Sequence, residues 1–291
     1  MEIETGVPLA RLTTIGTGGP AKAFARPSSV TELEEAIAWA VERRLEVRTV
    51  GLGSNLLAAD EGVDALVLRL AGDLAGVEVD GDLLRAGGGA TNAVCLHRAR
   101  EAGLGGIEFA CAIPGTAGGG ARMNAGAYGS DWSAILVRAL VVSSEGSGWL
   151  TPDELGLEYR HSLVRPDQVV ARVEYRLVPR PVAEIKVEVA DLVARRKATQ
   201  PTNKRTFGSV FKNPPGELGA GRMLELCGLK GHKVGGAVVS PRHANFIENA
   251  GGATSEDCLE LMSEAKRRVA ERFGVELERE VVFLGSVAEG E

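Results

Sequence analysis

The sequence predicts an α+β protein, and three observations carry that prediction. The first 70 residues alternate as a small β-α-β-β unit. The stretch after them is punctuated by glycine, and strands outnumber helices in it. Residues 201–291, beyond the linker-like Gln200-Pro201-Thr202-Asn203, form a separate α/β unit. The chain has 291 residues, which suits about two domains of roughly 150 residues.

The elements follow in order. Residues 1–19 read as irregular, ending in Gly16-Thr17-Gly18-Gly19-Pro20, and 21–25 as a short strand. A helix is expected over 30–44, where Leu33, Ile37, Ala40 and Val41 recur at helical spacing. Ser29 or Thr31 offers an N-cap, and Glu32, Glu34 and Glu35 suit the positive end. Strands follow at 46–50 and 65–70. Residues 77–79 and 83–86 flank Asp80-Gly81-Asp82, a hairpin signal. Thr91 caps a helix with Val94, Cys95, Leu96 and Ala99, ended by Gly103. The densest glycine cluster, at 114–120, reads as a loop. Strands are expected at 134–143 and 169–177, with a break at 179–181. The helix expected at 182–198 ends in Arg195-Arg196-Lys197, which suits its negative pole. In the last unit, strands are expected at 237–239, 245–247 and 280–284. Between them lies a helix at 255–273, with Ser255 as cap and Leu259, Met262, Ala265, Val269 and Phe273 on one face.

Composition excludes several classes of function. Hydrophobic residues make up 44% and charged residues 25%, the profile of a globular chain. The net charge is −6 and no basic block occurs, so nucleic acid is not an expected partner. No apolar run of about 18 residues exists to span a membrane. Met1-Glu2-Ile3-Glu4-Thr5 is acidic and does not read as a secretory leader. Cys95, Cys111, Cys227 and Cys258 are scattered without a CxxC pair, and the four histidines show no HxxxH spacing. Free cytosolic thiols and no metal site are therefore expected. Glycine is the outlier, at 38 residues, well above the usual share of about 7%.

Five local patterns could carry chemistry. Gly51-Leu52-Gly53-Ser54-Asn55 follows a strand, so its backbone N–H groups could face a pyrophosphate. It is neither GxGxxG nor a Walker loop, and a plain turn explains it as well. Pro114-Gly115-Thr116-Ala117-Gly118-Gly119-Gly120 clears side chains from the backbone, which suits either a flat ligand or a crowded core. In Tyr159-Arg160-His161-Ser162 the arginine offers a planar fork for a carboxylate or phosphate, or a surface ion pair. If Phe207-Gly208-Ser209-Val210-Phe211-Lys212-Asn213-Pro214 is extended, Ser209, Phe211 and Asn213 share one face, and Val210 and Lys212 the other. Ser209 lacks the GxSxG elbow of a hydrolase, which disfavours a nucleophile and leaves proton donation open. Glu280 opens an apolar strand, where a solvated strand end is the plain alternative.

Taken together and in order, these runs resemble the MurB family of UDP-N-acetylenolpyruvoylglucosamine reductases. The runs are Thr13-Thr14-Ile15-Gly16-Thr17-Gly18-Gly19-Pro20, Gly51-Leu52-Gly53-Ser54-Asn55, Ile113-Pro114-Gly115-Thr116-Ala117-Gly118-Gly119, Met123-Asn124-Ala125-Gly126-Ala127-Tyr128-Gly129, Tyr159-Arg160-His161-Ser162, Gly208-Ser209-Val210-Phe211-Lys212-Asn213-Pro214, His243-Ala244-Asn245-Phe246 and Glu280-Val281. The resemblance extends from about residue 10 to 285. It implies a vanillyl-alcohol-oxidase/PCMH-type FAD-binding fold with a C-terminal α/β substrate-binding domain. The implied division is two FAD-binding subdomains, 1–70 and 71–200, and a substrate domain, 201–291, whose final strand returns to the FAD-binding part.

The resemblance further implies noncovalent FAD, with NADPH as hydride donor and UDP-N-acetylglucosamine enolpyruvate as substrate. FAD would lie against Gly51, Gly53, Ser54, Asn55, Pro114, Gly115, Thr116, Gly118, Gly119 and Asn124. Hydride would pass from reduced flavin to C3 of the enolpyruvyl group. Arg160 and Glu280 would flank that group while Ser209 protonates C2. Glu280 would then be protonated, or held by Arg160 or a bridging water, because an ionised carboxylate would repel the developing charge. Tyr128, Lys212, Asn213 and Arg242 are the candidate substrate contacts. A cytoplasmic monomer is expected. The short connection from Arg160 to the Val169 strand resembles the compact form of the family, which lacks an extra βαββ element. The glycine-rich run at 117–122 departs from the family pattern. Two other readings share part of the pattern: a flavin oxidase of the same superfamily with another substrate, and a nucleotide-binding module without activity.

Overall fold

The computed structural model describes residues 2–285. Met1 and residues 286–291, the end of the segment expected as 201–291, lie outside them. The chain clusters into two compact units. The first holds residues 2–4, Ala23–Leu52 and Ala65–Arg196; the second holds Thr5–Lys22, Gly53–Asp64 and residues 197–285. This division differs from cuts at 70 and 200, because two early segments belong with the C-terminal part. The cause is pairing at long range. Val282–Leu284 runs parallel to Leu56–Ala58, and the Thr14 hydroxyl donates to the carbonyl of Thr206 at 2.6 Å.

Two apolar clusters build the first unit. In one, helix α1 (Val30–Glu42) lays Leu33, Ala36, Ile37 and Ala40 against Val47, Leu66 and Leu68. Ser29 caps α1 by accepting from the Glu32 N–H. Glu46–Thr49 pairs in parallel with the Ala65–Leu68 part of its neighbour. In the other cluster, a five-stranded antiparallel sheet runs in the order Gly146–Leu150, Leu136–Ser143, Val169–Arg176, Leu83–Gly87, Val77–Asp80. Helix α2 (Asn92–Glu101) is capped by Thr91.

The glycine cluster expected as a loop contains a helix, α3 (Ala117–Met123), capped by Thr116. Close packing explains it. A Cβ on Gly118 would sit 2.7 Å from the Val170 carbonyl oxygen, and one on Gly120 would sit 2.2 Å from Trp132 Nε1. Only glycine lets α3 lie this close to the sheet and to the buried aromatic stack of Trp132 on Tyr175. Helix α4 (Val182–Thr199) follows.

In the second unit, four antiparallel strands run in the order Thr206–Ser209, Phe246–Asn249, Ala237–Val239, Lys233–Val234. Helices α5 (Ala220–Leu226) and α6 (Ser255–Phe273) cover their apolar side. The cap of α6 is Thr254, one residue before the expected Ser255. Thr254 and Asp257 form a reciprocal capping box. Ser255 is the first helical residue, and its N–H and hydroxyl both donate to Asp60. The N-terminal stretch is also more ordered than expected, with short strands Ile3–Glu4 and Val7–Pro8 and a 3₁₀ turn at Leu9–Arg11.

Candidate active site

In the second unit, the Ser209 run leaves its strand at a bulge. The register shifts between Thr206 and Ser209, and Gly208 has φ +83°. The expected alternation therefore fails: Val210 and Phe211 are both buried, at 1% and 2% exposure. Beyond the bulge the run lies beside Glu278-Arg279-Glu280. The Glu280 N–H donates to the Val210 carbonyl at 2.9 Å, and the Lys212 N–H donates to the Glu278 carbonyl at 2.9 Å. Asn55 joins them, because its Nδ2 donates to the Glu280 carbonyl at 3.0 Å. A Cβ on Gly208 would lie 3.2 Å from the carbonyl oxygen of Ser54. Ser54, Asn55, Ser209 and Glu280, distant in sequence, thus share one neighbourhood.

The candidate substrate contacts of this unit have protein partners. Lys212 Nζ lies 2.5 Å from a Glu278 carboxylate oxygen. Asn213 Oδ1 accepts from the Ala220 N–H at 3.0 Å, serving the start of α5, whose Gly219 cap has no side chain to offer. The Arg242 guanidinium donates to the carbonyls of Lys197 and Gln200 at 2.7 and 3.4 Å, next to the C-terminus of α4.

In the first unit, Gly51 packs on Thr116, whose Oγ1 would stand 2.6 Å from a Cβ at position 51. The Asn92 N–H donates to the Gly115 carbonyl at 3.0 Å, which fixes the loop after Pro114 to the start of α2. The amides of Ala117, Gly118 and Gly119 are already spent, on Ala90, Gly88 and the Thr116 hydroxyl. Gly118 is buried, whereas a Cβ on Gly119 would meet only Thr116 Oγ1, at 3.4 Å.

Asn124 has a task that the sequence does not reveal. It ends α3 at φ 38° and is 2% exposed. Its Oδ1 accepts from the Ser133 N–H, and its Nδ2 donates to the Glu158 carbonyl. It thereby holds the turn that carries Arg160, itself at φ 54°. The Arg160 guanidinium donates to the carbonyls of Gly126 and Asn124 at 2.5 and 3.4 Å. Tyr128 donates its hydroxyl to the Leu192 carbonyl of α4 at 3.2 Å. Burial, followed by the neighbouring Cys111, raises its pKa.

The donor set fits an anionic dinucleotide. In the first unit, the amide N–H groups of Gly51, Gly115 and Thr116 meet no acceptor among the described residues. Runs of unspent amides are the groups that bind phosphate oxygens. The buried Asn92 Oδ1 also lacks a partner, but as an acceptor it adds nothing to this donor set. Among the described residues, no group of three or more His, Cys, Asp or Glu is placed to hold a metal ion. No helix among them is long and apolar enough to cross a membrane.

Two supports of these loops escape the sequence reading. Asn245 lies in a run already noted but had no role there. Its signal is a polar residue at 4% exposure beside a strand. The other is Gly87-Gly88-Gly89, a triple glycine that its composition alone could have flagged. A Cβ on Gly88 would lie 1.9 Å from the Val170 carbonyl oxygen.

Comparisons with known proteins agree along nearly the whole chain. Residues 21–149 match the family model of an FAD-binding domain. Residues 200–284 match that of the C-terminal domain of UDP-N-acetylenolpyruvoylglucosamine reductase. UDP-N-acetylenolpyruvoylglucosamine reductase 2 of Symbiobacterium thermophilum is 45% identical over 97% of this chain and 92% of its own length. The reductase of Anaeromyxobacter dehalogenans is 45% identical over 96% of this chain and 84% of its own. The crystal structure of MurB from Thermus caldophilus superposes with a TM-score of 0.85 at 37% identity, covering 98% of this chain and 99% of that one.

Proposed function

This chain belongs to the UDP-N-acetylenolpyruvoylglucosamine reductase (MurB) family, and from that premise we propose how its residues share the chemistry. It has the α+β FAD-binding fold of the vanillyl-alcohol-oxidase/PCMH type, with a C-terminal α/β domain. It is an FAD-containing, NADPH-dependent oxidoreductase that reduces UDP-N-acetylglucosamine enolpyruvate to UDP-N-acetylmuramate in peptidoglycan precursor synthesis. Bound FAD would supply the hydride chemistry that connects NADPH to C3 of the enolpyruvyl group.

Main-chain N–H groups of Gly51, Gly53, Gly115 and Thr116 would hold the FAD pyrophosphate. Ser54, Asn55 and Pro114 border that cradle, Gly119 leaves it open, and Gly118 and Asn124 shape it by packing. Charge builds on the substrate carboxylate as C3 is reduced. Arg160 stabilises it with a fork that two main-chain carbonyls have oriented in advance. The Ser209 O–H bond breaks as a C2–H bond forms, and the serine recovers its proton from water. Glu280 carries a proton, or shares one through Arg160 or a water, so that it does not repel the charge. Lys212 exchanges Glu278 for a substrate phosphate, and Tyr128, Asn213 and Arg242 line the path of the nucleotide. The same proposal includes a cytoplasmic monomer and a downstream role in cell shape and division.

The observation that carries the residue assignment is the pairing of the Ser209 run with the Glu280 run, through Glu280 N–H to Val210 O. Anaerobic stopped-flow absorbance near the oxidised-flavin band tests it. Ser209→Ala is expected to keep wild-type flavin reduction by NADPH. Its re-oxidation by substrate should slow by about 10²–10⁴-fold, the usual worth of a placed proton donor. Equal loss in both half-reactions would contradict the role.

A further inference from the structure

We propose that Asn245 is a positioning residue for the Ser209–Glu280 pair, an inference that rests on the roles given above. The bulge at Gly208 breaks the ladder between Thr206–Ser209 and Phe246–Asn249. Beyond it, the buried peptide groups of Val210 and Phe211 need new partners. One residue provides most of them. The Asn245 carbonyl accepts from the Val210 N–H at 2.9 Å. Its side-chain Oδ1 accepts from the Phe211 N–H at 3.0 Å, and its Nδ2 donates to the Phe211 carbonyl at 2.8 Å. The amide therefore imitates a strand residue and continues the sheet past the bulge. Because it meets one donor and one acceptor of the same residue, its orientation is unambiguous.

This grip reaches both chemical groups. Ser209 is joined directly to the clamped Val210 peptide. The Val210 carbonyl, on the other edge of the run, accepts the Glu280 N–H. A shift of the Val210 and Phe211 peptides would displace the hydroxyl and the carboxyl together. Asn245 touches neither substrate nor cofactor in this account; it acts through the main chain. Asn245 is 4% exposed, and both polar atoms of its side chain are engaged with the Phe211 peptide.

Asn245→Asp is the informative change. It keeps the acceptor for the Phe211 N–H but turns an acceptor toward the Phe211 carbonyl. The variant and Ser209→Ala are run side by side as holoenzymes in the two half-reactions, in water and deuterium oxide. Asn245→Asp is expected to reduce at the wild-type rate with NADPH and to re-oxidise with substrate about 10²-fold more slowly, the cost of roughly 1 Å of misplacement. Its solvent isotope effect on re-oxidation is expected to rise, because proton delivery becomes the slow event. A purely structural role would lower thermal stability or slow both phases alike, and either result without the selective loss overturns the proposal. If Ser209→Ala is slow and Asn245→Asp re-oxidises normally, the positioning role fails while the Ser209 assignment stands. Normal re-oxidation of Ser209→Ala refutes that assignment and the inference with it. Amide hydrogen exchange on the wild-type holoenzyme covers the case of a variant that does not fold. Phe211 is expected to be as protected as Val210, and loop-like exchange at Phe211 would refute the clamp.

Discussion

Gly120→Ala separates the packing role of the glycine cluster from its proposed cofactor role. The new methyl carbon would start 2.2 Å from Trp132 Nε1 and 2.7 Å from Cε2, where ordinary contact begins at 3.4 Å. The indole would have to retreat by about 1 Å in a close-packed interior. It has no free direction: it is fully buried, stacked on Tyr175 at 4.8 Å, and edge-on to Phe109 at 5.1 Å. Overpacking of this kind costs about 1–3 kcal/mol, against a helix-propensity gain of about 1 kcal/mol for Gly to Ala. The net expectation is a loss of up to about 2 kcal/mol, or several degrees of Tm at about 2–4 °C per kcal/mol. Gly119→Ala is the control. Its methyl would meet only Thr116 Oγ1 at 3.4 Å, so the unliganded protein should gain up to about 1 kcal/mol. FAD affinity should fall, because the methyl enters the proposed cradle. Thermal unfolding with and without FAD, and flavin titration by fluorescence, read both effects. If Gly120→Ala is as stable as wild type, the close-approach argument for α3 is wrong. If Gly119→Ala binds FAD normally, position 119 does not face the cofactor.

Three further outcomes are expected. Burial pushes the thiols of Cys95 and Cys258 up to about 12, so at pH 7.5 the thiolate fraction is on the order of 10⁻⁵–10⁻⁴. Mass spectrometry after brief maleimide treatment of the native protein should find label on Cys111 or Cys227, and label on Cys95 or Cys258 first would refute this. Glu174 has a lowered pKa, chiefly from its hydrogen bonds with Arg138 and despite burial. Its stabilising effect is complete above the unfolded value near about 4.3 and is lost as pH falls through the lower folded value, so Glu174→Gln should flatten the acid limb of a Tm-versus-pH curve below about pH 4. Arg242→Ala removes two hydrogen bonds to Lys197 and Gln200 and should speed proteolysis at 197–204; unchanged cleavage there would show that the arginine does not hold that segment.

Local signals in the sequence were sufficient for several elements. Ser29 and Thr91 cap the helices expected after them, and Gly81, at φ 61°, turns the expected hairpin. In each case the deciding residues lie within a few positions of one another. The misreadings arise where distant residues decide. By propensity, the three glycines at 118–120 argue against a helix, at about 1 kcal/mol each. Close approach to Gly88, Val170 and Trp132 outweighs that cost, and none of those positions is visible from 117–123. Thr254 and Ser255 are adjacent hydroxyls with equal claims to cap α6. Asp257 favours Thr254, and Asp60 takes Ser255 from 195 residues away. The interleaved units likewise follow from a parallel pairing of 56–58 with 282–284, for which the chain carries no local mark.

The candidate site divides in the same way. Arg160, Ser209 and Glu280 stand out in sequence because their chemistry is distinctive, but their neighbours in the same runs act through the main chain. Asn124 spends both polar atoms on the backbone around Arg160, Asn245 does so on the peptides after Ser209, and Asn55 spends its amide on Glu280. Asparagine suits this work. It offers N–H donors and a carbonyl acceptor in one plane, the same kinds of group that a peptide presents, and carries no charge to desolvate. At Asn124 and Asn245, replacement by aspartate would turn an acceptor toward a carbonyl, while alanine would leave buried backbone groups unpaired. Each candidate reactive group is thus held by an amide that imitates backbone where regular structure stops. The serine stands at a bulge, the arginine in a turn at positive φ, and the glutamate just before its strand begins. Regular sheet could not supply these positions, because its own ladder would fix the main chain there. Irregular backbone can be re-aimed, and the three asparagines are what make its geometry definite.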